Sequence, residues 1–495
     1  MTLFIELEKA GDAPLQLQLF QAVQREILEG RLAPGTRLPS TRGLARQLQV
    51  ARNTVLLAYD RLIAEGYLEA RQAEGTFVSD AIPEDALHWS SGGTVAEEAP
   101  SPPVQPRPLP RRFAAPLLYE RQKERIDLDF RVGRPDPASF PLKRWRQLIN
   151  ENLAGAGRAL TEYGNPAGLF DLRQAVADHL KSARGITADP AQIIIVGGCE
   201  EGLNIVARML APAGTDVAVE NPCYQGVAFV FRSHGARIRP IPVDEAGIRV
   251  DRLAGLSQSL VCVTPSHQFP LGHTMSLNRR LRLLEWARST GSYIVEDDYD
   301  SDFRYAGSPL MALAGLDRAD SVIYIGTFSK SMGAALRIGY LIVPPHLIGP
   351  AREAKALYNL GNPWLEQAAL ADFIRSGSFA THLRRVRNTY LRRRDTLMAA
   401  LRDHFGPVQL YGTEGGMHLT WVLPDGQPLA RQMQNAALVR GVGIYTIADG
   451  PAVDCGHHDL ADRALFFGYP CLDEAEIQQA VRHLPSVAQL AGPGG

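Results

Sequence analysis

The sequence has little net charge and no long apolar segment. Among its 495 residues, Lys and Arg number 52 and Asp and Glu number 53, so the formal net charge is −1. This balance argues against nucleic-acid binding, which is typical of basic proteins. No segment approaches the roughly 20 apolar residues of a membrane-spanning helix. Glu6 and Glu8 stand where a signal peptide would be basic and apolar. We therefore expect a globular, cytoplasmic protein that does not contact a membrane.

Cysteine is also scarce, and the sequence has only Cys199, Cys223, Cys262, Cys455 and Cys471. An odd number without a CxxC pair predicts neither a full set of disulfides nor a familiar zinc site. Reduced thiols are the simplest interpretation. The segment 454–459 contains metal-ligand residue types without ligand spacing. We expect a surface loop there and no metal.

A proline-rich stretch divides the chain. Six of the eleven residues from Pro100 to Pro110 are proline. Proline fixes φ and has no N–H, so the stretch should be an extended spacer. We predict a small domain over residues 1–80, a linker over 81–122, and a large domain over 123–490.

The first 80 residues carry the pattern of helices followed by two short strands. Helical spacing of apolar residues predicts a first helix over about 17–28, Ser40 can cap a second, and Arg52 begins a third. Strands at 67–68 and 76–78 would follow. This order predicts a winged helix-turn-helix, an α+β layout that binds DNA. A small solvated helical domain with scattered arginines is the alternative.

Polar residues stand where such a domain meets DNA. Arg52, Asn53 and Thr54 begin the third helix, and Arg and Asn can read guanine and adenine. Ser40 and Arg42 begin the second helix, whose backbone N–H groups can hold a phosphate. Residues 1–80 nevertheless contain 9 Lys/Arg and 10 Asp/Glu. DNA binding must therefore depend on where the charges lie and on dimer avidity.

Short apolar runs alternate with helical patterns in the large domain, at 192–196, 216–220, 260–264, 293–296 and 321–325. This alternation predicts an α/β fold with a mostly parallel sheet. An acid pair, Asp297-Asp298, follows one run, and Lys330 follows another. A lysine amine can form a Schiff base with an aldehyde cofactor, and an acid can keep a pyridinium nitrogen protonated. The combination predicts a pyridoxal phosphate (PLP) site. Taken alone, the lysine would be interpreted as a surface residue and the two acids as a solvated turn.

Longer motifs carry two resemblances. The segments 34–42, 52–55, 58–59, 62–68 and 75–78 resemble the GntR-type winged helix. The segments 163–168, 220–224, 264–270, 296–301 and 326–330 resemble fold-type I aminotransferases. The combination resembles MocR-type transcriptional regulators, in which a GntR winged helix is fused to a PLP-dependent aminotransferase-like domain.

The resemblance implies roles for particular residues. Lys330 would carry PLP as an internal aldimine, with Asp297 at the ring nitrogen, Tyr299 at the ring hydroxyl and Tyr224 on the ring face. The residues implied around the phosphate are Gly198, Cys199, Thr327, Ser329 and Arg337. Tyr163 would reach the cofactor of a second subunit, which implies a homodimer, usually domain-swapped. The residues implied to face DNA are Arg42, Arg52, Asn53, Thr54 and Gly75.

The sequence departs from this family at positions that concern a small-molecule effector. Phe466 stands where many aminotransferases have the arginine that binds a substrate α-carboxylate. Arg463 is near in sequence. The first phosphate loop reads Gly198-Cys199-Glu200-Glu201 in place of the commoner Ser/Ala-Gln-Gln. We therefore expect a non-α amine, an amino sulfonate such as taurine, or the cofactor itself as effector.

Three functions remain open at this stage. The first is a PLP-dependent regulator whose sequence-specific DNA binding, to repeated half-sites, is controlled by an amine that forms an external aldimine. The second is an aminotransferase that carries a DNA-binding module. The third is a DNA-binding structural protein with an inert large domain. Six arginines between Arg384 and Arg394 predict a solvated helix face, with a second DNA-contacting surface as the alternative.

Overall fold

The computed structural model describes residues 5, 7, 13–71, 74–80, 126–306, 311–424, 429–448, 450–456 and 460–485. They fall into two compact units, one ending at residue 80 and the other beginning at 126. The linker expected over 81–122 lies outside the described residues, so the domain boundaries stay a prediction. In the part of the chain that the structure describes, no helix has the length and apolar character to cross a membrane.

The small unit is a winged helix-turn-helix, as predicted. Its helices are Leu15–Leu28, Thr41–Leu48 and Arg52–Ala64, and its antiparallel wing pairs Leu68–Arg71 with Gly75–Val78. Ser40 caps the second helix, because its Oγ accepts the Gly43 N–H at 3.1 Å. Leu19, Val23, Leu44 and Val55 are fully buried where the three helices meet. These apolar residues recur at helical spacing, which is why the pattern was readable in the sequence.

The large unit is built on an eight-stranded mixed sheet. Its strands, in spatial order, are Ile193–Val196, Gly339–Ile342, Val322–Thr327, Tyr293–Asp298, Leu260–Val263, Asp216–Asn221, Arg237–Asp244 and Gly247–Ile248. The five strands from Val322–Thr327 to Arg237–Asp244 are mutually parallel, while Gly339–Ile342 runs antiparallel to both neighbours. The α/β prediction of a mostly parallel sheet is confirmed.

Helices cover this sheet, and a smaller sheet follows it along the chain. The helices are Leu142–Gly155, Phe170–Arg184, Cys199–Leu210, Gln225–Ser233, Leu277–Thr290, Leu313–Leu316, Ile348–Asn359, Trp364–Arg375, Ser378–Phe405, Ala430–Val439 and Glu474–His483. The smaller antiparallel sheet contains Gln409–Tyr411, His418–Val422 and Ala464–Gly468. Two-residue strands pair Leu128–Asp129 with Val442–Gly443 and Cys223–Tyr224 with Ala452–Val453.

The large sheet brings the predicted chemical groups to one edge. Asp297 and Asp298 lie opposite Ile325 and Gly326 on the neighbouring parallel strand. Lys330 follows the end of that second strand by three residues. Because the carboxyl ends of adjacent parallel strands coincide, residues far apart in sequence converge there.

Candidate functional site

The small unit presents its predicted DNA-facing residues to solvent. Arg52 and Asn53 are exposed at the start of the third helix, and Thr54 is half-buried. Ser40, Arg42 and Gly75 are exposed as well. Gly75 has a φ of +125°, and a Cβ there would lie 3.2 Å from Arg37 Nε. A larger residue at the wing would therefore be strained and crowded against that guanidinium.

Lys330 is half-buried and lines a cavity of about 440 Å³ in the large unit. Its Nζ donates to the carbonyl oxygen of Gly133 at 2.9 Å. Gly133 has a φ of +81°, and a Cβ there would approach Nζ to 2.8 Å, so a larger residue would be strained and would displace the amine. Burial lowers the pKa of the Lys330 amine, which favours the neutral, nucleophilic form.

Asp297 contributes an unpaired oxygen to the same cavity. Its Oδ2 accepts the Cys199 thiol at 3.3 Å, while its buried Oδ1 has no hydrogen-bond partner. Burial raises the pKa of the Asp297 carboxyl to about 7. A buried acceptor left open in this way is suited to an N–H donor, preferably a cationic one.

An anion-binding corner forms on the side of the cavity where two segments meet. The helix Cys199–Leu210 starts there, and its first backbone N–H groups can bind an anion. Gly198 has a φ of +131°, and a Cβ there would lie 3.3 Å from both terminal nitrogens of Arg337. Thr327 and Ser329 line the same cavity, and their hydroxyls are 3.0 Å apart.

Tyr224 and Tyr299 complete the set that the sequence predicted. The Tyr224 hydroxyl donates to Glu200 Oε1 at 2.6 Å, so one of the departures in the first phosphate loop orients this ring. Tyr299 is half-buried, and its hydroxyl donates to the carbonyl oxygen of His267 at 3.1 Å. Every cofactor residue predicted within one subunit therefore lines one cavity. Tyr163, predicted to reach a second subunit, is 88% exposed.

Three further basic residues of the cavity were not predicted. Arg131 and Arg134 flank Gly133, whose carbonyl binds Lys330, and His418 comes from the smaller sheet. Arg134 donates one hydrogen bond, from Nη1 to Asp129 Oδ2 at 3.3 Å. The sequence signal was weak, because a two-residue strand and an isolated histidine carry no pattern of their own.

The position of the missing carboxylate clamp is apolar in the structure. Phe466 is buried beside Phe269 and Tyr445. Arg463 does not line the cavity. Its Nε donates to the carbonyl of Leu423 at 2.7 Å. Arg463 is thus occupied elsewhere and does not replace the clamp.

Asp298 has a structural role distinct from that of Asp297. Its Oδ2 lies 2.7 Å from Arg184, and both side chains are almost fully buried. It also accepts the Tyr324 hydroxyl at 2.5 Å. The acid pair of the sequence therefore divides into one open carboxyl and one that closes a buried ion pair.

Replacing Asp298 by alanine should leave the Arg184 charge buried without its carboxylate. We expect the free energy of unfolding to fall by about 3–5 kcal/mol. Urea denaturation of the apoprotein measures this loss. Asp297→Asn is the matched control and should change stability much less, since its Oδ1 has no partner to lose. Equal losses of unfolding free energy in the two variants would contradict the different roles of Asp297 and Asp298.

The arginine-rich segment lies in the long helix Ser378–Phe405. Most of its arginines contact other parts of the large unit, which differs from the predicted solvated face. Arg387 donates to the Asp302 carbonyl at 3.1 Å, Arg393 pairs with Asp136 at 3.0 Å, and Arg394 donates to the Thr413 carbonyl at 2.6 Å. Arg385 and Arg392 reach Ser139 and Glu474. These bonds favour a packing role over a second DNA-contacting surface.

Comparisons with known proteins agree with both units. Residues 15–78 match the family described as bacterial regulatory proteins, gntR family, and residues 125–484 match aminotransferase class I and II. A multiple substrate aminotransferase from Thermococcus profundus superimposes with a TM-score of 0.67 at 28% identity, covering 74% of this chain and 93% of that one. The class is therefore a gntR-type regulatory domain joined to an aminotransferase fold.

Relatives with both units narrow this class. The probable rhizopine catabolism regulatory protein MocR of Rhizobium meliloti is 35% identical over 97% of this chain and 95% of its own length. The transcriptional regulator TauR of Rhodobacter capsulatus is 34% identical over 85% of this chain and 86% of its length. The chain belongs to the MocR-type family of gntR regulators.

The residues of the large unit fit PLP. The open Oδ1 of Asp297 suits a protonated ring nitrogen, and the buried Lys330 amine suits an aldehyde. The corner formed by Gly198, the following helix start and Arg337 suits a phosphate. The donor set therefore matches the ring nitrogen, the aldehyde and the phosphate of the cofactor.

Proposed function

We propose that this protein is a PLP-dependent transcriptional regulator whose sequence-specific DNA binding is controlled by an amine effector. The observation that carries the proposal is the convergence of the Lys330 amine and the open Asp297 oxygen in one cavity. The same chain exposes Arg52 and Asn53 at the start of a winged-helix recognition helix. The relatives with both units are regulators.

When bound, PLP supplies an aldehyde that forms a Schiff base with a primary amine. Lys330 provides that amine, and an amine effector would take its place. Asp297 would hold a proton at the ring nitrogen, and Tyr224 and Tyr299 would orient the ring. Arg337, with the hydroxyls of Thr327 and Ser329 and the backbone at Gly198 and Cys199, would hold the phosphate. A change of bonding at Lys330 switches DNA binding only if it favours one arrangement of the two units.

The effector we favour carries its acidic group away from the position of an α-carboxylate. Phe466 leaves no cation at that position, whereas Arg131 and Arg134 line the cavity next to Gly133 and Lys330. An amine that takes the place of Lys330 could extend its acidic group toward these two arginines. Taurine-type amino sulfonates and non-α amino acids have this shape.

Replacing Arg131 by alanine should weaken the binding of such an effector by about tenfold or more. The reason is the loss of a hydrogen bond between charged groups, worth roughly 1.5–3 kcal/mol. Titration of the PLP-loaded protein with taurine and with γ-aminobutyrate, followed by visible absorbance, measures the affinity. Arg282→Ala, on an exposed helix position, is the control. Unchanged affinity in Arg131→Ala would place the acid elsewhere.

A homodimer completes the proposed regulator, and it is expected to be domain-swapped. The highly exposed Tyr163 belongs to a large unit that also exposes Leu142, Leu160, Phe170 and Leu357. Apolar surface of this kind is typical of an interface. A dimer would present two winged helices to repeated half-sites, and avidity would compensate for their modest charge.

The test of the proposal is binding to the promoter beside the protein's own gene, measured with and without PLP and an amine. A regulator should show an amine-dependent change in affinity that disappears in Lys330→Ala. The second candidate, an aminotransferase with a DNA-binding module, is favoured by the complete lysine, acid and phosphate set. Steady multiple turnover with an amino donor and a keto acid, without any effect of the amine on DNA binding, would decide for it.

A further inference from the structure

A buried polar group lies directly behind Tyr299, outside the cofactor residues described above. His267 Nδ1 is 2.9 Å from Asp300 Oδ2 and 3.0 Å from the Tyr299 hydroxyl. The Tyr299 hydroxyl in turn donates to the carbonyl oxygen of His267 at 3.1 Å. His267 and Asp300 are 5% and 3% exposed. The three side chains thus form a closed hydrogen-bond group.

The partners of this group fix its protons. An ionised carboxylate can only accept, so His267 Nδ1 carries the hydrogen that Asp300 binds. The same N–H reaches the Tyr299 oxygen. Since the hydrogen of Tyr299 goes to a carbonyl, the phenol oxygen accepts from His267 and keeps its own proton to donate. Burial raises the pKa of Tyr299 well above its ordinary value, which maintains the phenol form.

The surroundings keep His267 in this position. A Cβ on Gly416 would lie 2.2 Å from His267 Cε1, and one on Gly412 would lie 2.9 Å from Nε2. The His418 ring lies 4.9 Å away, and its Nε2 bonds the Pro270 carbonyl at 2.9 Å. Burial lowers the pKa of His418 to about 4, so this neighbour stays neutral.

The charged groups that act on this region are few. Asp300, Asp297 and Glu220 act on Tyr299, and Lys330 acts with His267 and Asp300 on His418. Asp300 is the acid in direct contact with His267. A change at His267 therefore reaches the cofactor cavity by a hydrogen bond through Tyr299, which lines that cavity. His418 also lines it and meets His267 by ring contact.

We propose that His267, held by Asp300, is a positioning residue. Its Nδ1–H fixes the Tyr299 oxygen, so that the Tyr299 hydrogen can turn from the His267 carbonyl to the bound cofactor and set the proton affinity of that cofactor. This inference rests on the proposed PLP site. A donor beside an anionic oxygen stabilises the charge on that oxygen and lowers the proton affinity of the group that carries it. Losing the donor raises that proton affinity.

A double-mutant cycle tests the route. The measurement is the pH midpoint of the visible absorbance change of bound PLP in the wild type, His267→Gln, Tyr299→Phe and the double variant. We expect each single change to raise the midpoint by about one to two pH units, the equivalent of one hydrogen bond to a charged group. In the Tyr299→Phe background, His267→Gln should add little. Asp300→Asn should shift the midpoint in the same direction.

The chain offers a matched control, since His346 bonds the Tyr293 hydroxyl at 2.7 Å on the protein surface. His346→Gln removes a histidine–tyrosine bond outside the site and should leave the midpoint unchanged. The proposal fails if the pH midpoint of His267→Gln is the same as that of the wild type. It also fails if the shift is as large with Phe at position 299 as with Tyr.

Metal binding is the competing role of the same cluster. The ligand atoms of His267, Asp300 and His418 lie within 4.8 Å of one another. Two ring nitrogens, His267 Nε2 and His418 Nδ1, are buried without a partner. A stoichiometric metal in the purified protein that is lost in His418→Gln would overturn the positioning role.

Failure of the PLP proposal would be recognised separately. If the wild-type protein binds no PLP, the proposed function is wrong. Nitrogen NMR of the apoprotein with labelled histidine still shows which ring nitrogen of His267 carries the proton. His267 should then carry its proton on Nδ1. A neutral His267 protonated on Nε2 alone would overturn the arrangement.

Discussion

Lys330→Ala protein is expected to lose the visible absorbance of bound PLP completely, together with every response of DNA binding to an amine. Lys330 lies in the cofactor cavity with its Nζ on the Gly133 carbonyl. Removing the amine removes the nucleophile that holds an aldehyde. Absorbance spectra and promoter binding of the same preparation measure both losses.

The controls for Lys330 distinguish the loss of a positive charge from the loss of the amine that forms a Schiff base. Lys143→Ala removes an exposed lysine and should leave the spectrum and the response unchanged. Lys330→Arg keeps a cation but cannot form a Schiff base, and it should behave like the alanine variant. A Lys330→Ala protein that retains its visible absorbance would contradict the assignment of this lysine.

Replacing Arg52 and Asn53 by alanine is expected to abolish sequence preference for DNA while the PLP spectrum stays intact. Both residues are exposed where the recognition helix begins. Each paired hydrogen bond to a base contributes about 1–3 kcal/mol of discrimination. The double change should therefore cost about thirtyfold to twenty-thousandfold in affinity for the specific site. Competition between operator and unrelated DNA measures the preference.

Arg25→Ala provides the matched charge control for this experiment. It removes an exposed cation from the first helix of the same unit, outside the recognition helix. It should reduce specific and non-specific affinity equally, if at all. A loss of preference as large as that of the Arg52 and Asn53 change would show that another surface reads the bases.

The sequence predicted the fold well because its signals were local. The small unit follows from helical spacing around Leu19, Val23 and Val55, and from a Ser40 that does cap its helix. In the large unit, each apolar run became a strand of the main sheet within a few residues of its predicted bounds. Strand ends then brought Asp297 and Lys330 together, since parallel strands end at one edge.

The rest depended on contacts between distant segments. Arg131 reaches the cavity through a loop that begins at a two-residue strand, and His418 comes from a different sheet. The bond from His267 to Asp300 joins residues 33 positions apart. The arginines of the long helix resembled a solvated charge run because their partners, such as Asp136 and Thr413, lie outside that helix. No local pattern records such pairings.

The bonding of those arginines has a consequence for the speed of DNA recognition. Arg387, Arg393 and Arg394 give their hydrogen bonds to the large unit itself. The N–H groups in these bonds are not available to DNA phosphates, and the net charge of residues 1–80, with 9 Lys/Arg and 10 Asp/Glu, is −1. We therefore expect little electrostatic steering, with association at the roughly 10⁵–10⁶ M⁻¹s⁻¹ of an unsteered encounter. Such a protein would find its operator slowly, and its occupancy would be governed by how long each complex lasts.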